Sequence, residues 1–203
     1  MKRRDFIKVI AGSVAAWPLA SRAQQGGKLP TIGLMASGTA ADMSHLTAAF
    51  VQRLRALGWT EGQSVAIEYR WGEGRTERFA EIADEFVRLK VDVILTHNTP
   101  PTIAAKQATS VIPIVFATAG DPVGSGIVAS LPRPGGNITG LSGQAPDTAG
   151  KRIELLREIV PGLRRLAILA DVGNPFTDRD IGEGDGAARA LALETITFGL
   201  WPA

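Results

Sequence analysis

The sequence predicts an α/β protein: a doubly wound parallel sheet with a second, incomplete α/β lobe. Three observations carry this. Val91–Thr96 and Ile112–Phe116 are short, largely β-branched runs with no polar alternation, as expected of strands buried on both faces. Such runs alternate with amphipathic stretches of helical period, which points to right-handed strand–helix–strand crossovers. Each run ends in small polar residues followed by proline, as in Thr96-His97-Asn98-Thr99-Pro100-Pro101 and Ala117-Thr118-Ala119-Gly120-Asp121-Pro122. Proline is tolerated in a helix's first turn.

Taken in order, the globular part starts near Leu29. Pro30–Ala36 reads as a strand and Ser37-Gly38-Thr39 as its exit loop. His45–Leu57 places Leu46, Ala49, Phe50, Leu54 and Leu57 at helical spacing, and Gly58 closes the helix. Ser64–Trp71 is a second strand, whose Glu68, Tyr69 and Arg70 serve the strand and its surface. Arg75–Lys90 is a helix with Phe79, Ile82, Ala83, Phe86 and Leu89 on one face. The central stretch then runs strand, loop, helix, strand, loop, helix, strand up to Leu141, the second of those helices following Pro122. Pro132–Asn137 is a turn. Beyond a boundary near residue 145, Thr148–Val160 and Ile181–Leu191 read as helices, and Arg165–Ala170 and Glu194–Phe198 as strands. Gly199–Ala203 does not look like a continued strand. Two strands are too few to cover a sheet, so this second lobe reads as partial.

The first residues carry a different signal. Arg3-Arg4-Asp5-Phe6-Ile7-Lys8 fits a twin-arginine export consensus, Val9–Ala20 is apolar but too short to span a bilayer, and Ser21-Arg22-Ala23 offers a cut before Gln24. The expected organisation is therefore signal 1–23, first lobe 24–145 and partial second lobe 146–203. No cysteine stands at the cut, which excludes a lipid anchor on the mature end.

Composition removes several function classes. The absence of cysteine excludes disulfides and thiol chemistry, and two histidines make a His-rich metal site improbable. The pI near 9.2 misleads. Residues 1–23 hold Lys2, Arg3, Arg4, Lys8 and Arg22 against Asp5 alone, so the 22 basic and 20 acidic residues become 17 and 19 without them. A basic nucleic-acid footprint is absent from the rest. Gly124-Ser125-Gly126-Ile127-Val128-Ala129 matches a dinucleotide-binding pattern, but it follows a late strand and lacks a correctly spaced acid. His97 lies near the strand ends without a serine elbow, so no nucleophile–base constellation is assembled.

In an open parallel sheet, ligands bind at the carboxyl ends of the strands. The candidate contacts are Ser37 and Thr39, then Thr96, Asn98 and Thr99, then Thr118 and Asp121, with Asn174 on the facing loop of the second lobe. Hydroxyls, an amide and helix-start N–H groups suit an α-carboxylate, and Asp121 suits an α-ammonium. The same residue types are also ordinary helix caps and turn formers.

Several motifs carry a family resemblance. They are Arg3-Arg4-Asp5-Phe6, Leu57-Gly58-Trp59-Thr60-Glu61-Gly62-Gln63, Ile67-Glu68-Tyr69-Arg70, Thr99-Pro100, Ile112-Pro113-Ile114-Val115-Phe116, Gly120-Asp121-Pro122-Val123 and Arg133-Pro134-Gly135-Gly136-Asn137-Ile138-Thr139-Gly140. In these the chain resembles ABC-transporter substrate-binding proteins related to tryptophan/tyrosine-type solute receptors. The resemblance implies a type I periplasmic binding fold whose lobes close on a small solute and present it to a membrane-embedded ABC permease, with no cofactor, no catalysis and no nucleic acid. The implied location is the periplasm. Compared with that family, the chain lacks most of a second lobe. The alternative readings are an exported α/β enzyme such as a hydrolase and a non-functional truncated remnant.

Overall fold

The computed structural model describes residues 28–172 and 174–200; the export signal expected at 1–23 lies outside them. Five strands form the larger sheet: β1 (Thr31–Ala36), β2 (Ala66–Trp71), β3 (Val93–His97), β4 (Ile114–Ala119) and β5 (Ile138–Ser142). Their order is β2-β1-β3-β4-β5, and every pairing is parallel. The helices between them are α1 (Ser44–Ala56), α2 (Arg78–Leu89) and α3 (Thr99–Ala108). A second, two-stranded parallel sheet pairs β6 (Arg165–Asp171) with β7 (Glu194–Leu200), and α4 (Ala145–Ile159) packs with α5 (Thr177–Ala190) beside it.

The core lies on one face of the larger sheet. Met35, Ile94, Ile114, Phe116 and Ile138 meet Phe79, Ile82 and Phe86 of α2 and Ala105 of α3. Gly33 has to be small here, because a Cβ would stand 2.8 Å from the Phe86 ring. The opposite face is thinly covered. Helix α1 buries none of its residues, and Val115 and Leu141 are 37% and 70% exposed. The apolar spacing read in α1 is present, but among the described residues no partner layer encloses it.

Two expectations need correction. The segment after Pro122 is a run of turns and not a helix. The Asp121 carboxylate accepts the Gly124 N–H at 2.8 Å, Gly126 takes φ +68°, and the chain dips to bury Ile127 and Val128 in the core. The last strand also runs past Phe198 to Leu200, because its register with β6 continues to Asp171↔Leu200.

Candidate functional site

The order β2-β1-β3 means that the chain leaves β1 in one direction and returns in the other, so a crevice opens between the loops after β1 and β3. Ser37 begins the first loop. Its C=O accepts the Gly74 N–H at 3.0 Å, which ties the loop to the residues after β2. Its Oγ is buried and has no hydrogen-bond partner among the described residues. Asn98 begins the second loop at φ 83° and ψ 166°, a conformation otherwise found almost only at glycine and held here by the surrounding hydrogen bonds. Its N–H donates to Thr118 C=O at 3.0 Å, and its side chain accepts the Thr99 N–H at 3.0 Å. Thr102 Oγ1 donates to Asn98 C=O at 2.6 Å and lies 2.8 Å from Thr96 Oγ1, while Thr99 Oγ1 accepts the Gly120 N–H at 3.2 Å. Four polar groups thus lock the β3 loop to α3 and to the β4 loop.

Helix α3 is a poor anion site. Its first three residues are Thr99, Pro100 and Pro101; the Thr99 N–H is taken by Asn98, and prolines have none. The N–H groups expected to hold a carboxylate at this helix start are therefore missing.

A cavity of about 110 Å³ lies between the two sheets. Ser37, Thr76, Phe79, Asn98 and Pro100 line it from the five-stranded unit, and Asp171 lines it from the end of β6. A second cavity of about 200 Å³ shares Thr76, Phe79 and Pro100 and adds Ile103, Ala104 and Pro175. The first carries hydroxyls, an amide and a carboxylate; the second is mostly apolar. Asn174, between Asp171 and Pro175, is buried and its Oδ1 has no partner among the described residues. A buried oxygen without a donor costs about 1–3 kcal/mol, so both Asn174 Oδ1 and Ser37 Oγ would gain from an incoming donor.

Of the eight residues singled out by sequence, Ser37 and Asn98 line the first cavity; Asn174 lines neither, although Asp171 and Pro175 on either side of it in the chain each line one. Thr96 and Thr99 are fully buried and hold the β3 loop. Thr118 is half-buried and serves through its backbone. Thr39 is exposed; its hydroxyl and N–H donate to Asp42, whose carboxyl they hold below the usual carboxylate range. Asp121 is buried and already paired with Arg179, 2.6 Å away. Sequence reasoning missed Thr76, Phe79 and Asp171. Helical spacing marks Phe79 as a core residue, which it also is, and the Asp171 signal is an acid closing an apolar strand. His97 lines a separate, apolar cavity of about 110 Å³ beneath α1, and burial pushes its pKa down. Among the described residues no His, Asp and Glu cluster could hold a metal ion, and no helix is long and apolar enough to cross a membrane.

This crevice-and-two-sheet arrangement has close counterparts. The sequence pattern of the family described as ABC transporter substrate binding protein matches residues 37–177. The chain belongs to that family. A tyrosine-binding protein of Clostridioides difficile (strain R20291) is 32% identical over 120 residues, covering 59% of this chain and 34% of that protein. Among solved structures, a conserved domain protein from Vibrio cholerae aligns with a TM-score of 0.78 at 26% identity, over 85% of this chain and 58% of that one. The ABC domain in complex with L-Trp from Streptococcus pneumonia gives 0.75 at 24%, with the same coverage. These and a leucine-binding protein from Thermotoga maritima place this substrate-binding family member in the type I periplasmic binding fold. The chain spans about a third of the curated relative's length and 58% of the first two structures.

Proposed function

We propose that this substrate-binding family member holds an amino-acid-like solute with an apolar side chain between its two units, which act as lobes joined near residues 143–146. The carrying observation is the pair of adjoining cavities. The polar one, lined by Ser37, Asn98 and Asp171, takes a head group rich in N–H donors, and the apolar one, lined by Phe79, Pro100 and Ile103, takes the side chain. The relative named as tyrosine-binding and the L-Trp complex support an aromatic solute. Export through the signal in residues 1–23 would deliver the protein to the periplasm, where it would pass its solute to an ABC permease. It would bind without catalysing, since its relatives are binding proteins.

Calorimetric titration of the chain with L-tyrosine, L-tryptophan and L-leucine tests this. Saturable binding of at least one aromatic acid is expected, weakened roughly tenfold or more by Ser37→Ala and Asp171→Asn in the same preparation. Absence of saturable heat with all three would refute it.

A further inference from the structure

The Asp121–Arg179 pair crosses between the two units. Asp121 follows β4 of the five-stranded unit, and Arg179 lies in the first turn of α5. One guanidinium nitrogen donates to Asp121 Oδ2 at 2.6 Å; the other donates to Asp147 Oδ1 of α4 at 3.0 Å. Asp147 thus steadies the fork within its own unit while the free arm reaches across. Asp121 is buried, and its second oxygen is taken by the Gly124 N–H, so it is fixed before Arg179 arrives.

The receiving segment is shaped for this contact. A Cβ on Gly124 would stand 2.0 Å from Asp121 Oδ2 and 3.2 Å from the Arg179 guanidinium. A Cβ on Gly120 would stand 2.4 Å from the Phe176 ring, which leads into α5. Gly120 and Gly124 therefore leave room for an aromatic ring and a cation from the other unit. Neither Asp121 nor Arg179 lines the two cavities between the units.

We propose that Arg179 is a positioning residue: it latches the two units together through Asp121 and so sets the affinity of the cavity between them. Apparent affinity falls in proportion to the fraction of molecules in the binding-competent arrangement, so a latch outside the cavity changes binding without touching the solute. The affinity arm rests on the proposed binding role; the latch itself does not.

The chain has no cysteine, so Gln52→Cys and Gly186→Cys give one dye site in each unit. Both positions are exposed, and a side chain at Gly186 meets nothing within 4 Å. Single-molecule energy transfer on the doubly labelled full chain, without solute, is expected to show a dominant short-distance population. Arg179→Ala and Asp121→Asn should each shift the closed-to-open ratio roughly tenfold, and Arg179→Lys less, because it keeps the charge but loses the fork. Raising NaCl from 0.1 to 1 M should open the unsubstituted chain and leave Arg179→Ala unmoved. The salt series needs no substitution at the latch, so it reads the latch even where a variant folds poorly. Unchanged distances in Arg179→Ala together with no salt response would overturn the proposal. The L-tyrosine dissociation constant should rise by the factor by which the closed fraction falls. Opening without any L-tyrosine binding in the unsubstituted chain would sink the binding role and leave the latch standing; opening with an unchanged dissociation constant would remove the affinity claim.

Discussion

Single residues decide whether the layers fit. Gly33 lies in β1 directly under the Phe86 ring, in a core with no slack. Gly33→Ala should cost about 1–3 kcal/mol in urea unfolding, by overpacking, even though alanine is ordinarily the better residue inside an element. His97 gives a pH test. Burial lowers its folded-state pKa below the unfolded value of 6.5, so the unfolded chain takes up the proton first as pH falls. Its contribution is fully present above pH 6.5 and is lost as pH falls towards the folded pKa. The melting midpoint of the chain should therefore drop between pH 7.5 and 5, and His97→Leu should flatten that slope. Ser37 and Asn98 were legible in the sequence as small polar residues at strand ends. Arg179 was not, because nothing around it in the chain announces a carboxylate 58 positions away.

Whole elements show where periodicity stops being informative. Helices α1 and α2 both carry apolar residues at helical spacing. Yet α2 buries Phe79, Ile82, Ala83 and Phe86, and α1 buries nothing. Phe86→Ala should cost about 3–5 kcal/mol, and Leu46→Ala, on a side chain already 42% exposed, less than about 1 kcal/mol. A chemical-denaturation series on the two variants checks this; equal costs would mean that α1 is packed by something other than the described residues. The segment after Pro122 makes the same point in reverse. Proline after a strand is a fair helix start, but Asp121 captures the Gly124 N–H and two glycines follow, so local turn chemistry wins over propagation. The loop before α3 is rigid for a reason only partly visible in sequence. Thr102→Val removes a donor to Asn98 and a partner of Thr96, and should lower stability by about 1–3 kcal/mol.

At the scale of the molecule, stability and binding are linked. A solute that binds only the folded chain at a hundred times its dissociation constant adds about 2.7 kcal/mol, which for a chain of this size raises the melting midpoint by roughly 5–10 °C. L-tyrosine or L-tryptophan should produce that shift, and Asp171→Asn, by weakening binding roughly tenfold or more, should remove about half of it or more. By itself the sequence determined most of the elements, their alternation and hence the parallel sheet, though not the turns after Pro122, because buried β-branched runs and helical periodicity are local properties of the chain. It also determined that polar side chains gather at the strand ends. Only the tertiary structure decided which of those side chains meet a cavity: Thr96, Thr99 and Asp121 are spent on loop and cross-unit contacts, whereas Ser37 lines a cavity with its Oγ unpartnered among the described residues. It decided, too, that Asp121 faces the Arg179 guanidinium. Pairing across two units depends on how the sheets are set against each other, and no window of neighbouring residues contains that information.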